Sequence, residues 1–116
     1  MPDGATASPL TFDIEVTGDV VLMRLHGKLT MGVSNMLHVR VKKLIPEHKR
    51  IVLDLSDLSH MDSSGLGTLV GLFVSARSAG CSLELMNLSH GIQKVLSLTN
   101  LLGVFSVIGE SGMKIG

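Results

Sequence analysis

An apolar run, a polar segment and an amphipathic pattern follow one another between Arg50 and Ser78, and this order constrains the fold most. The near-continuous apolar run at residues 51–53 suits a central parallel strand that is buried on both faces. Beyond the polar segment, the spacing of a helix with one apolar stripe is followed by Leu66, Leu69, Val70, Phe73 and Val74. We therefore expect a buried strand, a short polar loop and a helix that ends near Gly80, with any function at the junction of loop and helix.

The rest of the chain places this unit in an α/β domain. Alternating apolar and polar residues predict strands over residues 11–16, 20–25 and 81–86, and Gly27 ends the second of them. An apolar arc over residues 33–45 predicts a helix that Pro46 stops; Arg40 lies inside this arc, with its stem packed and its charge in water.

Two further elements complete the predicted order. Ser89 is a suitable first cap for a short helix ending near Asn100, and residues 104–108 read as a last strand. The succession of strands and helices requires crossover connections, which are right-handed in nearly all proteins. We predict a mixed, mostly parallel sheet with an N-terminal hairpin and crossover helices mainly on one face.

Length and hydropathy limit the organisation and the location of the protein. A chain of 116 residues is one domain, and we assign residues 1–9 to a disordered leader and residues 10–116 to the domain. The chain has no apolar run of about eighteen residues, which a membrane-spanning helix needs. The N-terminus lacks the basic start and apolar core of a secretory signal. These features predict a cytoplasmic protein that does not insert into a membrane.

Charge and composition argue against several classes of ligand. Lys plus Arg and Asp plus Glu both number ten, and only 3% of residues are aromatic, which disfavours a nucleic-acid partner. Cys81 is the only cysteine and is interpreted as a buried thiol. No metal-ligand spacing relates the histidines, which are His26, His38, His48, His60 and His90. We expect neither a metal nor a cofactor.

The segment D-S-S at residues 62–64 precedes the predicted helix. A helix begins with unpaired backbone N–H groups and partial positive charge, so Asp62, Ser63 and Ser64 are all suitable capping residues. The plainest interpretation is that one of them caps the helix. Only one of two consecutive serines can do so, however, which leaves the other hydroxyl spare. A phosphate there would add about −1.5 to −2 charge, which neighbouring N–H groups could hold and which would repel a partner.

Small residues follow one arc of the same helix, away from the leucine stripe: Ser64, Gly67, Gly71, Ser75 and Ser78. Glycine costs a helix about 0.8–1.0 kcal/mol relative to alanine, so two glycines on one arc call for an explanation. Close approach of a partner surface would supply it. The alternative is that a neighbouring helix of the same domain packs there, above all at Gly67.

The sequence H-M-D-S-S-G-L-G-T-L-V-G at residues 60–71 resembles the phosphorylation loop and second helix of the STAS domain, specifically of bacterial anti-sigma factor antagonists. The resemblance extends to I-V-L-D-L-S-D-L-S at 51–59, L-S-H-G-I-Q-K-V-L at 88–96, T-N-L-L at 99–102 and G-K-L-T at 27–30. It implies a partner switch in which the unphosphorylated antagonist binds an anti-sigma factor that is also a serine kinase. The kinase phosphorylates the serine after the aspartate, here Ser63, and a serine phosphatase reverses the change.

The resemblance also implies a set of site residues. Asp62, Ser64 and Gly65 support the phosphorylation loop around Ser63. The partner-binding surface is assigned to Thr30, His60, Met61, Gly67, Thr68, Gly71 and Ser75. The antagonist has no catalytic residues, because ATP and magnesium belong to the kinase.

This chain departs from the family pattern in three places. Lys28 and Thr30 stand where an acidic G-E-L-D is common, which bears on the identity of the partner. His60 replaces a residue that is usually apolar or aromatic. The tail after Ile108 is too short and too rich in glycine for the terminal helix of many members.

Two other functions remain open at this point. An enzyme would use Ser63 or Ser64 as a nucleophile, with His60 as a base, but Met61 stands where a G-x-S-x-G elbow needs glycine. A STAS module could instead be a constitutive adaptor in a signalling scaffold or a lipid-transport complex, with a serine that is never modified. The sequence also leaves self-association open.

Overall fold

The computed structural model describes residues 10–98 and the backbone of residues 106–108 and 114–115. The strands are β1 (Leu10–Thr17), β2 (Val20–Leu29), β3 (Arg50–Met61), β4 (Ser82–Met86), β5 (Ser106–Ile108) and β6 (Lys114–Ile115). The helices are α1 (Ser34–Leu44), α2 (Ser63–Ser78) and α3 (His90–Leu98), and a 3-10 turn, Ile45–Glu47, follows α1. The predicted leader at residues 1–9 and the predicted helix end at Asn100 lie outside the described residues.

The strands form one sheet in sequence order, from β1 to β6. Strands β2 to β5 are parallel to one another, whereas the edge strands are antiparallel, β1 to β2 and β6 to β5. Right-handed connections between adjacent parallel strands place the crossover helices on one face. The predicted α/β fold is thereby confirmed, and β6 is an addition that the sequence patterns did not predict.

Strands β2 and β3 are longer than predicted. Gly27 does not end β2; the strand shifts register near this residue and continues to Leu29, which pairs with Met61. Residues 56–61, predicted to be a loop, therefore belong to β3, and Asp62 alone separates β3 from α2. The prediction failed because a bulged strand breaks the strict alternation of side chains by which strands are recognised.

One face of the sheet and the inner sides of the helices form the apolar core. In the sheet the buried side chains include Val21, Met23, Leu25, Ile51, Leu53, Leu55, Leu83 and Leu85. Helix α2 buries Gly65, Leu69, Leu72 and Ala76. Val74, which the sequence placed on the apolar stripe, is 56% exposed, so α2 is rotated relative to the predicted phase. Cys81 is buried, as expected.

Helix α1 lies beside α2 and buries Leu37 and Val41 in the core. The predicted helix over residues 33–45 is confirmed to within one residue at each end, since Val33 is the capping residue and Ile45 begins the 3-10 turn. Met36, assigned to the apolar arc, is 43% exposed, and Arg40 is exposed as well. Pro46 lies in the 3-10 turn that ends the helical segment.

The other face of the sheet is polar. The buried carboxylate of Asp54 accepts a hydrogen bond from Arg24 at 3.0 Å, and that of Glu84 forms an ion pair with Arg50 at 2.8 Å. The predicted partly wet face thus contains buried acids that basic side chains compensate. Among the described residues, no helix has both the length and the apolar character to cross a membrane.

Candidate functional site

Asp62 joins three elements at the start of α2. Its Oδ1 accepts a hydrogen bond from the backbone N–H of Gly65 at 3.0 Å, which makes Asp62 the N-cap. Its Oδ2 accepts a second bond, at 2.9 Å, from the backbone N–H of Met31 in the β2–α1 connection. Its own N–H donates to the carbonyl of Leu29 at 3.3 Å. Asp62 therefore fixes the loop before α1 to the beginning of α2.

These bonds also set the charge of Asp62. The N–H of Met31 contributes most to lowering the pKa of the Asp62 carboxyl group, followed by the N–H of Gly65. The carboxylate is therefore ionised at neutral pH, and it already accepts bonds from N–H groups at the start of α2. A phosphate added nearby would meet this negative charge.

The two serines after Asp62 have different environments. Ser63 is the first residue of α2 and is exposed, and its hydroxyl makes no hydrogen bond within the part of the chain that the structure describes. The hydroxyl of Ser64 lies 2.8 Å from that of Ser34 on α1. We expected one of Asp62, Ser63 and Ser64 to cap the helix and a serine hydroxyl to be spare. Asp62 is the cap and the hydroxyl of Ser63 is spare, while Ser64 links two helices.

Gly65 allows the start of α2 to pack closely on β2 because it has no side chain. A Cβ at this residue would clash with the carbonyl oxygen of Leu29 and would lie 3.0 Å from Cγ of Met61. Met61 is half-buried against the core beneath the helix start. The first turn of α2 can therefore lie directly on the ends of β2 and β3.

The small-residue arc of α2 lies partly beside α1, although Gly67, Gly71 and Ser78 are exposed. A shallow groove between the two helices is lined by Ser34, Asn35, His38, Ser64, Gly67, Thr68 and Gly71. Further along, Nζ of Lys42 donates to the hydroxyl of Ser75 at 3.5 Å. A Cβ at Gly67 or Gly71 would have nothing within 4 Å, so α1 does not fill the groove over these glycines. The neighbouring helix therefore lines the arc but does not pack over Gly67, where it was expected above all. Close approach of a partner surface over the two glycines stays a prediction.

Thr30 directly follows β2, and His60 is the penultimate residue of β3. The carbonyl of Thr30 accepts hydrogen bonds from the N–H groups of Val33 and Ser34, at 3.1 and 3.0 Å, and so begins α1. His60 is exposed, and its Nδ1 lies 3.1 Å from the hydroxyl of its neighbour Ser59. The structure therefore gives His60 a contact with Ser59 in place of the Ser63 contact that a catalytic base would need.

A sequence model of the STAS domain matches residues 11–112. The chain belongs to the STAS domain family. An anti-sigma-B factor antagonist of Bacillus subtilis is 26% identical to this STAS domain over 102 residues, covering 88% of the chain and 94% of the relative. An anti-sigma F factor antagonist of Paenibacillus polymyxa is 26% identical over 100 residues, covering 84% and 86%.

Solved structures agree with these relatives. The anti-sigma factor antagonist SpoIIAA in its unphosphorylated form superposes on this STAS domain with a TM-score of 0.73, at 26% identity, over 87% of the chain and 90% of SpoIIAA. Phosphorylated SpoIIAA from Bacillus gives a TM-score of 0.68 over 87% and 94%, also at 26% identity. The shared architecture covers nearly all of both chains.

Two residues of this site in the STAS domain were missed by sequence reasoning. Ser34 is buried and holds Ser64 in place, whereas Met31 is 79% exposed and its N–H is bound by Asp62. Both contacts join residues about thirty positions apart, which no local pattern reveals. The only sequence signal for Met31 is its position beside Gly32, just before the predicted helix.

Proposed function

We propose that this STAS domain is an anti-sigma factor antagonist that acts by partner switching. With Ser63 unmodified it binds an anti-sigma factor that is also a serine kinase. The kinase phosphorylates Ser63 and the antagonist is released; a serine phosphatase restores it. Support comes from the names of the relatives and from SpoIIAA, which has a phosphorylated and an unphosphorylated form.

The single observation that carries this proposal is the accessible hydroxyl of Ser63 at the start of α2. A visiting kinase can reach it without unfolding any element. Helix α2 can retain its first turn after modification, because Asp62 rather than Ser63 makes the capping bond. Phosphorylation can therefore change the surface while the fold persists.

Electrostatics explains why the modification would release a partner. The phosphate brings about −1.5 to −2 charge next to ionised Asp62. Placing such a group in a dry interface readily exceeds the ~1.4 kcal/mol that corresponds to a tenfold loss of affinity. The antagonist itself needs no catalytic group or cofactor, since ATP and magnesium are bound by the kinase.

The test combines mass measurement with binding. We expect protein from its native host to carry one phosphate localised to Ser63. The full chain with Ser63→Ala should remain bound to its partner, whereas Ser63→Asp should bind at least about tenfold more weakly. Ser97→Asp, which adds the same charge to the exposed surface of α3, is the matched control and should bind like the unmodified protein.

Equal affinity of the Ser63→Ala and Ser63→Asp proteins would refute the switch. In that case a constitutive adaptor, in a signalling scaffold or a lipid-transport complex, would explain the docking surface. Turnover of an activated ester by the purified protein, lost in Ser63→Ala, would favour an enzyme instead.

A further inference from the structure

The last part of β3, residues 54–61, leads directly to the proposed phosphorylation site and is irregular. From Asp54 to Met61 β3 advances seven residues, while β2 advances five from Arg24 to Leu29, so β3 contains two extra residues here. We call residues 54–61 the bulged segment. A bulge disrupts the backbone ladder and bends the strand, so side-chain contacts between the strands help to set the register at this end of the sheet.

Charged side chains lie on both sides of the first register shift. Before the shift, Arg24 pairs with Asp54 in the ladder, and Nε of the arginine lies 3.0 Å from the carboxylate. Oδ1 of Asp54 also accepts the N–H of Ser56, inside the shifted stretch, at 3.0 Å. After the shift, His26 pairs with Asp57, and Nδ1 of the ring lies 2.8 Å from the carboxylate. A basic and an acidic side chain thus connect β2 to β3 before and after the bulge.

The second register shift lies between the pairs Gly27–Leu58 and Lys28–His60. Ser59 is the extra residue there, and its hydroxyl donates to the carbonyl of Gly27 at 3.0 Å. One step later both strands reach their last residues, which pair with each other. Correct pairing of the two strand ends therefore depends on both shifts.

The end of β2 supports the start of α2. The carbonyl of Leu29 accepts the N–H of Asp62 at 3.3 Å, and a Cβ at Gly65 would clash with the same oxygen. Ser63 lies between these two contacts in the chain and is exposed. A change of register at the end of β2 would therefore displace the residues that hold Ser63 in place.

His26 needs its proton to make both of its side-chain contacts. Nε2 lies 2.7 Å from the carboxylate of Asp13 on β1, while Nδ1 faces Asp57 on β3. We call these two contacts the His26 bridge. Both carboxylates only accept hydrogen bonds, whereas a neutral imidazole has a single N–H to donate. One contact of the bridge is therefore lost when the ring is neutral.

The two aspartates favour the protonated ring. The hydrogen bond to Asp13 contributes most to raising the pKa of His26; partial burial opposes it, and the bond to Asp57 adds to it. The bridge is therefore complete below the ordinary histidine pKa of about 6.5 and is lost as pH rises through the value in the folded protein.

Other charged groups near the ring do not replace these aspartates. On β2, Arg24 and Lys28 lie two residues before and after His26. Arg24 is already bound to buried Asp54, and Lys28 pairs with His60 in the ladder between β2 and β3. The ring belongs with Arg24 to the polar face of the sheet, away from the crossover helices. The acids on β1 and β3 thus determine the charge of the ring.

We propose that His26 is a positioning residue of the phosphorylation switch, and that the His26 bridge makes the switch sensitive to pH. With the ring charged, Asp13 and Asp57 hold β1, β2 and β3 in register, and Leu29 remains beneath the start of α2. When the ring loses its proton, the bulged segment is released on one side and the support beneath Ser63 loosens. This inference rests on the proposed function, because Ser63 is the residue that the bridge positions.

A contact that only added stability would behave differently. Leu25, Leu29 and Leu58 are buried on the core side, so the strands remain in the sheet whatever the charge of His26. A merely stabilising bridge would change the free energy of unfolding and leave the start of α2 unchanged in the folded protein. A positioning bridge changes the start of α2 while the protein stays folded.

The first experiment follows the start of α2 by NMR in the full chain, across the histidine range from about pH 5.5 to about pH 8.5. We expect the backbone N–H signals of Met31, Asp62 and Gly65 to shift with the same midpoint as the ring of His26. These three groups make or accept the hydrogen bonds at the helix start. The N–H signal of Leu72, in the buried part of α2, is the internal control and should not titrate.

Variants separate His26 from the other histidines. His60 is two residues before Asp62, so the measurement is made in protein that carries His60→Gln. In this protein His26→Gln should abolish the titration at the helix start, whereas His90→Gln, at the exposed start of α3, should leave it unchanged. Asp57→Asn gives the same test if His26→Gln fails to fold, because the midpoints of the ring and of the helix start should then fall together. A titrating ring with constant helix-start signals, or a titration that survives His26→Gln, would overturn the proposal.

The second experiment measures the effect on docking. The full chain with Ser63→Ala captures its partner from an extract of the native host, and affinity for the captured protein is compared at about pH 6 and about pH 8.5. The loss of affinity at the higher pH should be at least about twofold greater than for the same protein with His26→Gln, as expected for one lost hydrogen bond. His90→Gln should respond to pH like the parent. An identical response with and without His26 would overturn the positioning role.

The two proposals fail in different ways, since the first experiment needs neither a partner nor a phosphate. Helix-start signals that titrate with His26, together with docking that ignores phosphorylation, support the His26 bridge and refute the switch. Release on phosphorylation of Ser63, with a helix start that does not titrate, refutes the role of the bridge and leaves the switch intact.

Discussion

Gly65 and Leu29 are in such close contact that a Cβ at residue 65 would overlap the carbonyl oxygen of Leu29. The same carbonyl accepts a hydrogen bond from Asp62 at 3.3 Å, so the strand end and the helix start are tied at one point. The exposed position of Ser63 depends on this contact. A larger residue would move α2 away from β2.

We expect Gly65→Ala to destabilise the protein by about 1–3 kcal/mol, because main-chain atoms must shift to admit the methyl group. Gly67 lies two residues further along the same helix, and a methyl group there meets open space. Gly67→Ala should therefore raise stability by about 0.5–1 kcal/mol through better helix propensity. Urea unfolding measures both. Similar stabilities for the two variants would contradict the packing at Gly65.

The contact between Ser34 and Ser64 should have a measurable coupling energy. Their hydroxyls are 2.8 Å apart in a partly buried setting, so a net contribution of about 0.5–1.5 kcal/mol is expected. A double-mutant cycle with Ser34→Ala and Ser64→Ala, followed by urea unfolding, isolates this interaction. Fully additive effects would show that the hydroxyls do not stabilise each other.

Asp62 should make the stability sensitive to acid. Its pKa is lowered in the folded state, chiefly by the N–H of Met31 and then by that of Gly65. The stabilisation is therefore present above the ordinary aspartate pKa of about 3.9 and is lost as pH falls through the folded pKa. Asp62→Asn keeps a capping oxygen but no charge.

The stability advantage of the natural protein over Asp62→Asn should accordingly be largest near neutral pH and should shrink below about pH 4. Unfolding in urea across this pH range provides the measurement. An advantage that stays constant down to about pH 2 would exclude the carboxylate as its source.

His26 should stabilise the protein at acid pH and lose this effect at alkaline pH, which is the opposite of Asp62. Its Nε2 lies 2.7 Å from Asp13 and its Nδ1 2.8 Å from Asp57, so in the protonated ring both nitrogens donate to carboxylates. The bond to Asp13 contributes most to raising the pKa of His26, with a further contribution from Asp57. This bridge connects β1 to β3 across β2.

Because the folded pKa is raised, the stabilisation is complete below the ordinary histidine pKa of about 6.5 and is lost as pH rises through the folded value. The stability difference between the natural protein and His26→Gln should therefore decline on the alkaline side. NMR titration of the His26 ring should show a lower pKa in Asp13→Asn than in the natural protein. An unchanged titration would contradict the bridge.

The sequence alone determined the class of fold and the order of its elements. Apolar alternation identified β1 and β4, helical spacing identified α1 and α2, and Ser89 began α3, where its hydroxyl accepts the N–H of Ile92 at 3.4 Å. The aspartate before α2 and the two serines that begin it marked the candidate site. These signals are local, because the period of a strand or helix and the preference for a cap depend on neighbouring residues.

Only the tertiary structure decided which groups meet. It extended β2 and β3 through a bulge, rotated α2 so that Leu72 is buried, and assigned the cap to Asp62. It also joined Ser34 to Ser64 and Met31 to Asp62. Each of these contacts spans about thirty residues and depends on strand register and helix packing. Those are set by the burial of the whole core, which no short stretch of sequence encodes by itself.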